Sequence, residues 1–134
     1  MKRFLMFAMF ALALPAAAET PQQLIAGYSA EAARAQPGFA PSAERGREIY
    51  QRRFGVSEKM PNCAACHTER PTAAGSHAVT GKAIQPLAPA ANAERFTTPS
   101  KVEKWFKRNC SEVVGRECTA AEKADFIQFL TQRG

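Results

Sequence analysis

Long apolar runs are almost absent from this 134-residue chain, and the only one covers residues 4–14. A helix that spans a bilayer takes about 20 such residues, so no part of the chain is expected to cross a membrane. The run follows Met1-Lys2-Arg3 and precedes the small residues Pro15-Ala16-Ala17-Ala18. That arrangement reads as a secretory signal peptide over residues 1–18, followed by one domain over 19–134, with an uncleaved anchor as the alternative. Bulky apolar side chains are scarce in the remainder as well: 22 of the 116 residues from Glu19 onward are Ile, Leu, Val, Met, Phe, Tyr or Trp. Such a chain is thin for a core, so a cofactor, disulfides or both have to supply the missing volume. Residues 19–134 carry 16 Lys+Arg and 12 Asp+Glu, which gives 16 − 12 = +4. There is no basic block interleaved with aromatics, and with export this makes nucleic acid a poor partner.

No convincing period-2 strand and no internal repeat is present, so the chain reads as all-α. Thr20-Pro21 looks like an N-cap followed by proline at the first helical position, with Leu24, Ile25 and Tyr28 at helical spacing. Gln36-Pro37-Gly38-Phe39-Ala40-Pro41 breaks that helix. Ser42 can cap a second helix to about Arg53, in which Gly46 allows another helix to come close. Residues 68–99, with Pro71, Pro86, Pro89 and Pro99, read as a long irregular loop, a length expected when a loop wraps something. Ser100-Lys101-Val102-Glu103 and Thr119-Ala120-Ala121-Glu122 both have capping-box form and predict two further helix starts.

Cys63-Ala64-Ala65-Cys66-His67 is the attachment run of c-type haem. Two thiols at this spacing match the separation of the vinyl groups, and the next imidazole can reach the iron, which makes His67 the proximal ligand. A thioredoxin-like pair would come with a βαβ pattern that is missing here. Zinc held by Cys63, Cys66, Cys110 and Cys118 would need distant halves, and two plain disulfides would leave His67 unexplained. Cys110 and Cys118 read as a structural disulfide in an exported protein, with a redox-active pair as the alternative.

Opposite the histidine, a small electron carrier places a methionine from a downstream loop. None occurs after the haem run: Met1, Met6 and Met9 lie in the leader, and Met60 lies three residues before Cys63. His77 would give bis-histidine ligation, but in its Gly75-Ser76-His77 stretch it reads more readily as a surface or propionate-contacting residue. Asn92 can reach inward or end a turn. Asn109 falls on the stripe of Val102, Trp105 and Phe106. Either a metal satisfies its amide, or it simply ends the helix. Trp105 and Phe106 are expected to touch the cofactor.

The strings Thr80-Gly81-Lys82, Pro86-Leu87-Ala88-Pro89, Arg95-Phe96-Thr97, Val102-Glu103-Lys104-Trp105, Arg108-Asn109-Cys110 and Gly115-Arg116-Glu117-Cys118-Thr119 resemble the sphaeroides haem protein family of class I cytochromes c. The resemblance covers nearly all of residues 19–134. It implies a class I cytochrome c fold around one covalent haem c, His67 as proximal ligand, and an asparagine at the position of Asn109 as sixth ligand. It also implies a Cys110–Cys118 bridge beside that ligand. In the family the asparagine leaves the iron on reduction, and oxygen or nitric oxide can then bind. Family partners include a dihaem cytochrome c and a membrane cytochrome b. From the way class I cytochromes use a proline after the haem run, the Pro86 carbonyl is expected to accept the Nδ1 proton of His67. Lys101, Lys104, Lys107 and Arg108 form a basic face that can dock an acidic redox partner. The expected protein is a periplasmic monohaem cytochrome c that accepts electrons and exposes a redox-gated iron to oxygen, nitric oxide or a related ligand. The rival readings are a plain shuttle and a haem oxidase or peroxidase, and the last lacks a distal acid or base other than His77.

Overall fold

The computed structural model describes residues 18–132, so the expected signal peptide lies outside the described residues except for Ala18. Helix α1 (Pro21–Ala35) begins as the sequence indicates. The Thr20 hydroxyl accepts from Gln23 N–H, Gln23 Oε1 accepts from Thr20 N–H, and Pro21 occupies the first turn. Helix α2 (Ala43–Gln51) is capped by Ser42 and stops two residues short of the expected Arg53. The backbone turns extended at Arg52, and Phe54 N–H then pairs with Pro61 C=O at 3.0 Å.

Helix α5 (Ala120–Thr131) forms the second expected capping box, between Thr119 and Glu122. Helix α4 (Pro99–Asn109) does not form the first. Its N-cap is Thr98, without a side-chain bond, and Ser100 is already inside the helix. Pro99 accounts for the shift, because its fixed φ suits the first helical position and it has no N–H to satisfy. Glu103 is thereby freed for a longer-range role. Beyond α4 the chain widens into a π-helical turn (Cys110–Val114), closed by left-handed Gly115.

Helix α5 lies against both α1 and α2 and forms the centre of the molecule. Ile127, Leu130, Ala124 and Tyr50 are fully buried, with Leu24, Ile25, Tyr28, Leu87, Phe96 and Val102 around them. Gly46 sets the α2–α5 spacing: a Cβ there would fall 2.0 Å from the Asp125 carbonyl oxygen. The buried Asp125 carboxylate accepts from Arg45 Nε (2.7 Å), Arg45 Nη2 (2.8 Å) and Ser42 N–H (2.7 Å). The carboxylate is thus paired and hydrogen-bonded, as burial of a charge requires.

Helix α3 (Ala64–His67) is a single turn. The long segment 68–98 contains two-residue strands β1 (Gly75–Ser76) and β2 (Ala83–Ile84), which pair antiparallel with Gly75 opposite Ile84. Strands this short carry no period-2 signal, which is why the sequence shows none.

Candidate haem site

The haem run occupies one short, heavily braced turn. Asn62 Oδ1 accepts from Ala65 N–H at 2.9 Å and caps the turn, while its Nδ2 donates to Gln51 C=O at 3.0 Å and ties it to the end of α2. Thr68 stops the turn with φ 65° and ψ 167°, a conformation used almost only by glycine. Two bonds hold it there: the buried Tyr50 hydroxyl donates to Thr68 C=O at 2.6 Å, and Thr68 Oγ1 donates to Arg70 C=O at 2.8 Å. On another side Gly75 presses against the turn, where a Cβ would meet Cys66 O at 2.0 Å.

Cys63 and Cys66 are free thiols, each half-buried. Burial pushes the Cys63 thiol up to about 12. The Cys66 sulfur accepts from Ala78 N–H at 3.3 Å, so the β1–β2 hairpin packs directly on the run. Burial, followed by the nearby Arg95 charge, lowers the His67 imidazole to about 4. The ring is therefore neutral at pH 7, with a lone pair free for a metal.

The Pro86 carbonyl does not take the expected bond from His67. It accepts instead from Arg95 Nε at 2.9 Å and Asn92 Nδ2 at 3.5 Å, while Arg95 Nη2 donates to Gln85 C=O at 2.8 Å. A guanidinium offers several charged donors in a fixed fork and outcompetes a neutral imidazole for a carbonyl. Arg95 was not singled out by the sequence, because isolated arginines in loops carry no periodic signal.

The α4 stripe divides. Val102 is buried, and Phe106 meets Tyr28 edge-on (6.1 Å between ring centroids) and Phe126 (5.7 Å). Phe106 is thus placed in the core. Trp105 is 43% exposed, with Arg108 stacked over its ring at 5.6 Å. Asn109 is also exposed, and its side chain has no hydrogen bond among the described residues. Four residues apart, Trp105 and Asn109 share one side of α4, since such pairs lie one above the other. Immediately after Asn109, Cys110 is buried and bridged to Cys118, with Cα atoms 5.7 Å apart.

The other candidate ligands have local duties. His77 Nδ1 accepts from the N–H groups of Val79 and Thr80, each at 3.2 Å, and so shapes the hairpin turn. Asn92 Oδ1 accepts from Glu94 N–H at 3.3 Å and its amide donates to Pro86. Asn92 thus takes the turn role that the sequence offered for it, whereas the turn role of His77 leaves no mark in the spacing.

The donor set fits a covalently held haem c: two unbridged thiols three residues apart and a neutral imidazole next to the second. No group of three or more His, Cys, Asp or Glu among the described residues forms a separate metal site. No described helix is long and apolar enough to cross a membrane.

The profile of a family described as a domain of unknown function, DUF1924, matches residues 36–130. Over 133 residues the chain is 46% identical to Cytochrome c-type protein SHP of Cereibacter sphaeroides, covering 97% of this chain and 98% of that protein. It is 41% identical over 111 residues to Cytochrome c'' of Methylophilus methylotrophus, covering 81% and 77% respectively. The structure of oxidised SHP, described as an oxygen-binding cytochrome c, superposes with a TM-score of 0.76 at 46% identity, over 84% of this chain and 96% of that one. The crystal structure of oxidised cytochrome c'' gives 0.79 at 39% identity, over 85% and 94%. A solution structure of cytochrome c'', described in terms of haem-ligand detachment, gives 0.73 at 40% identity, over 82% and 90%. The chain belongs to this family of c-type cytochromes, whose members carry covalently bound haem c.

Proposed function

We propose that this member of the family is a periplasmic monohaem cytochrome c that accepts electrons and, on reduction, releases Asn109 from the iron so that a small diatomic molecule, oxygen or nitric oxide, takes its place. The haem supplies the redox couple and the ligand-binding metal. The rest of the behaviour is assigned to side chains of the chain.

His67 holds the proximal side. Its neutral imidazole is fixed by a turn that Asn62, Tyr50 and Gly75 brace from three directions. Asn109 serves the distal side, and it carries the reading. Its amide has no partner among the described residues, it shares a helix side with the open Trp105, and a disulfide begins at the next residue. An amide oxygen is a hard neutral donor, suited to ferric iron and less to the softer ferrous state, so Asn109 would hold the metal less firmly after reduction, and more so than His67. The bridge at Cys110 keeps the backbone of Asn109 in place, so the side chain swings away and can return. Lys101, Lys104 and Lys107 make no ion pair among the described residues, which leaves their charge available to dock an acidic redox partner such as a dihaem cytochrome c or a membrane cytochrome b. Arg108 is engaged by Glu112 at 3.0 Å.

Visible spectra of wild type and Asn109→Ala, oxidised and reduced, test the assignment. The expected wild type is six-coordinate when ferric and high-spin when reduced, and it binds carbon monoxide or nitric oxide. Asn109→Ala should lack the six-coordinate ferric form. Identical spectra for the two proteins, or low-spin bands that persist on reduction, refute it.

A further inference from the structure

Helix α4 is joined to the rest of the molecule differently from the other long helices. Whereas α5 packs along both α1 and α2, the close backbone contacts of α4 run mainly to the π-helical turn that continues it. Val102 and Phe106 press into the core, but apolar contact is not directional and allows a helix to slide. Polar contact between α4 and the α1–α5 body is concentrated at Glu103. Its Oε1 accepts from the Tyr28 hydroxyl of α1 at 2.5 Å and from Lys123 Nζ of α5 at 3.1 Å, and its Oε2 accepts from Lys123 at 2.9 Å. The Lys123 ammonium is itself placed 5.3 Å from the Tyr28 ring centre and 5.8 Å from that of Phe106. Three helices therefore meet at one carboxylate, six residues before Asn109.

Space on the flank of α4 bears on the same point. A solvent-open cleft of about 180 Å³ lies between Glu103, Lys104, Lys107, Glu117, Cys118 and Lys123. On that side the helix faces solvent, and its apolar packing against the body rests on Val102 and Phe106.

We propose that Glu103, clamped by Tyr28 and Lys123, is a positioning residue for the sixth ligand: together with the Cys110–Cys118 bridge it pins α4 at two points, so that Asn109 exchanges by side-chain rotation and not by movement of the helix. This rests on the assignment of Asn109 as ligand. With the tether removed, α4 pivots about the disulfide, and Asn109 leaves sooner and returns more slowly.

The test uses the haem-loaded full chain with Glu103→Gln and Tyr28→Phe, and with Asp125→Asn as a control that weakens the α2–α5 ion pair without touching α4. Two quantities are read: the rate of ligand loss after rapid reduction under carbon monoxide, and amide hydrogen exchange over residues 99–109. Each tether variant is expected to speed both by about tenfold, the factor that follows from one lost hydrogen bond to a charged group. Asp125→Asn is expected to change neither beyond its effect on global stability. Wild-type exchange over 99–109 in both tether variants overturns the proposal, as does an equal effect of Asp125→Asn. An Asn109→Ala spectrum identical to wild type refutes the ligand assignment instead. The exchange readout still decides the tether in that case, because it does not depend on the iron.

Discussion

Gly46→Ala should unfold this protein easily even though it replaces a poor helix former with the best one. In an isolated helix the change would stabilise by about 1 kcal/mol. Here the new Cβ would lie 2.0 Å from the Asp125 carbonyl oxygen, 2.6 Å from its carbonyl carbon and 2.8 Å from Phe129 Cβ. Two of those atoms are backbone and cannot rotate away, so α2 and α5 would have to separate by more than an ångström along their most extensive contact. Overpacking costs typically 1–3 kcal/mol and sometimes more, and a backbone obstacle belongs at the upper end. The expected net loss is about 2–3 kcal/mol after the propensity gain, or roughly 8–15 °C in Tm for a domain of this size. Thermal unfolding of the haem-loaded protein followed by far-UV circular dichroism measures it. Gly27→Ala supplies the opposite control. Gly27 lies inside α1 with nothing within 4 Å of its would-be Cβ, so this variant should gain about 0.5–1 kcal/mol. A Gly46→Ala protein as stable as wild type, or a Gly27→Ala protein destabilised to the same degree, would refute the close-approach argument.

Tyr50→Phe should cost about 1–3 kcal/mol in urea unfolding, because it strands the Thr68 carbonyl in its strained turn, and it should broaden the His67 signals in the paramagnetic NMR spectrum. Unchanged stability and sharp signals would show that the turn holds itself. Replacing both Cys110 and Cys118 with Ser should lower stability by about 2–3 kcal/mol on the loop-entropy account, measured against wild type under non-reducing conditions. Acid should weaken the fold at two carboxylates. Burial raises Glu103, but Tyr28 and Lys123 outweigh it and hold the group below the usual carboxylate range; Arg116, followed by the capping box, holds Glu122 there too, against burial. A carboxyl whose folded value is depressed adds stability above its unfolded value near 4.5, and that stability is lost as pH falls through the folded value. The urea midpoint should therefore fall between about pH 5 and pH 3, and the Glu103→Gln/Glu122→Gln protein should show a flatter profile over that window. Reduction by an acidic partner protein should slow steeply with added salt, and charge reversal at Lys101, Lys104 and Lys107 should remove most of that salt dependence.

What the sequence revealed depended on how local the determining interaction was. The start of α1 at Thr20-Pro21 and the capping box at Thr119–Glu122 are each set within a few residues, and the structure bears them out. The S-x-x-E pattern at Ser100 has the same local form, yet Pro99 starts the helix earlier and Glu103 bonds across the molecule to Tyr28 and Lys123. Tertiary bonds of this kind leave no trace in spacing. The same holds for the Pro86 carbonyl, where Arg95 takes the place expected for His67. At Asn109 periodicity gives the helix side, shared with Trp105, but not what covers that side.

The proximal side of the haem site and its proposed distal side are built on different physical principles, and under the proposed ligation this difference would let one ligand stay while the other goes. On the proximal side the restraints are short in sequence and arrive from several directions: an asparagine cap, a strained residue held by a buried phenol, and a glycine wedged against the Cys66 carbonyl. Displacing His67 would mean breaking several of these at once. On the distal side Asn109 sits at the end of a helix held at one carboxylate and one disulfide, with a solvent-open cleft along its flank and no bond to its own amide among the described residues. If Asn109 is the sixth ligand, as proposed, a change of a few kcal/mol in its bond to the metal would be small against the restraints on His67 but comparable with those on the Asn109 side chain, so reduction would move that ligand alone.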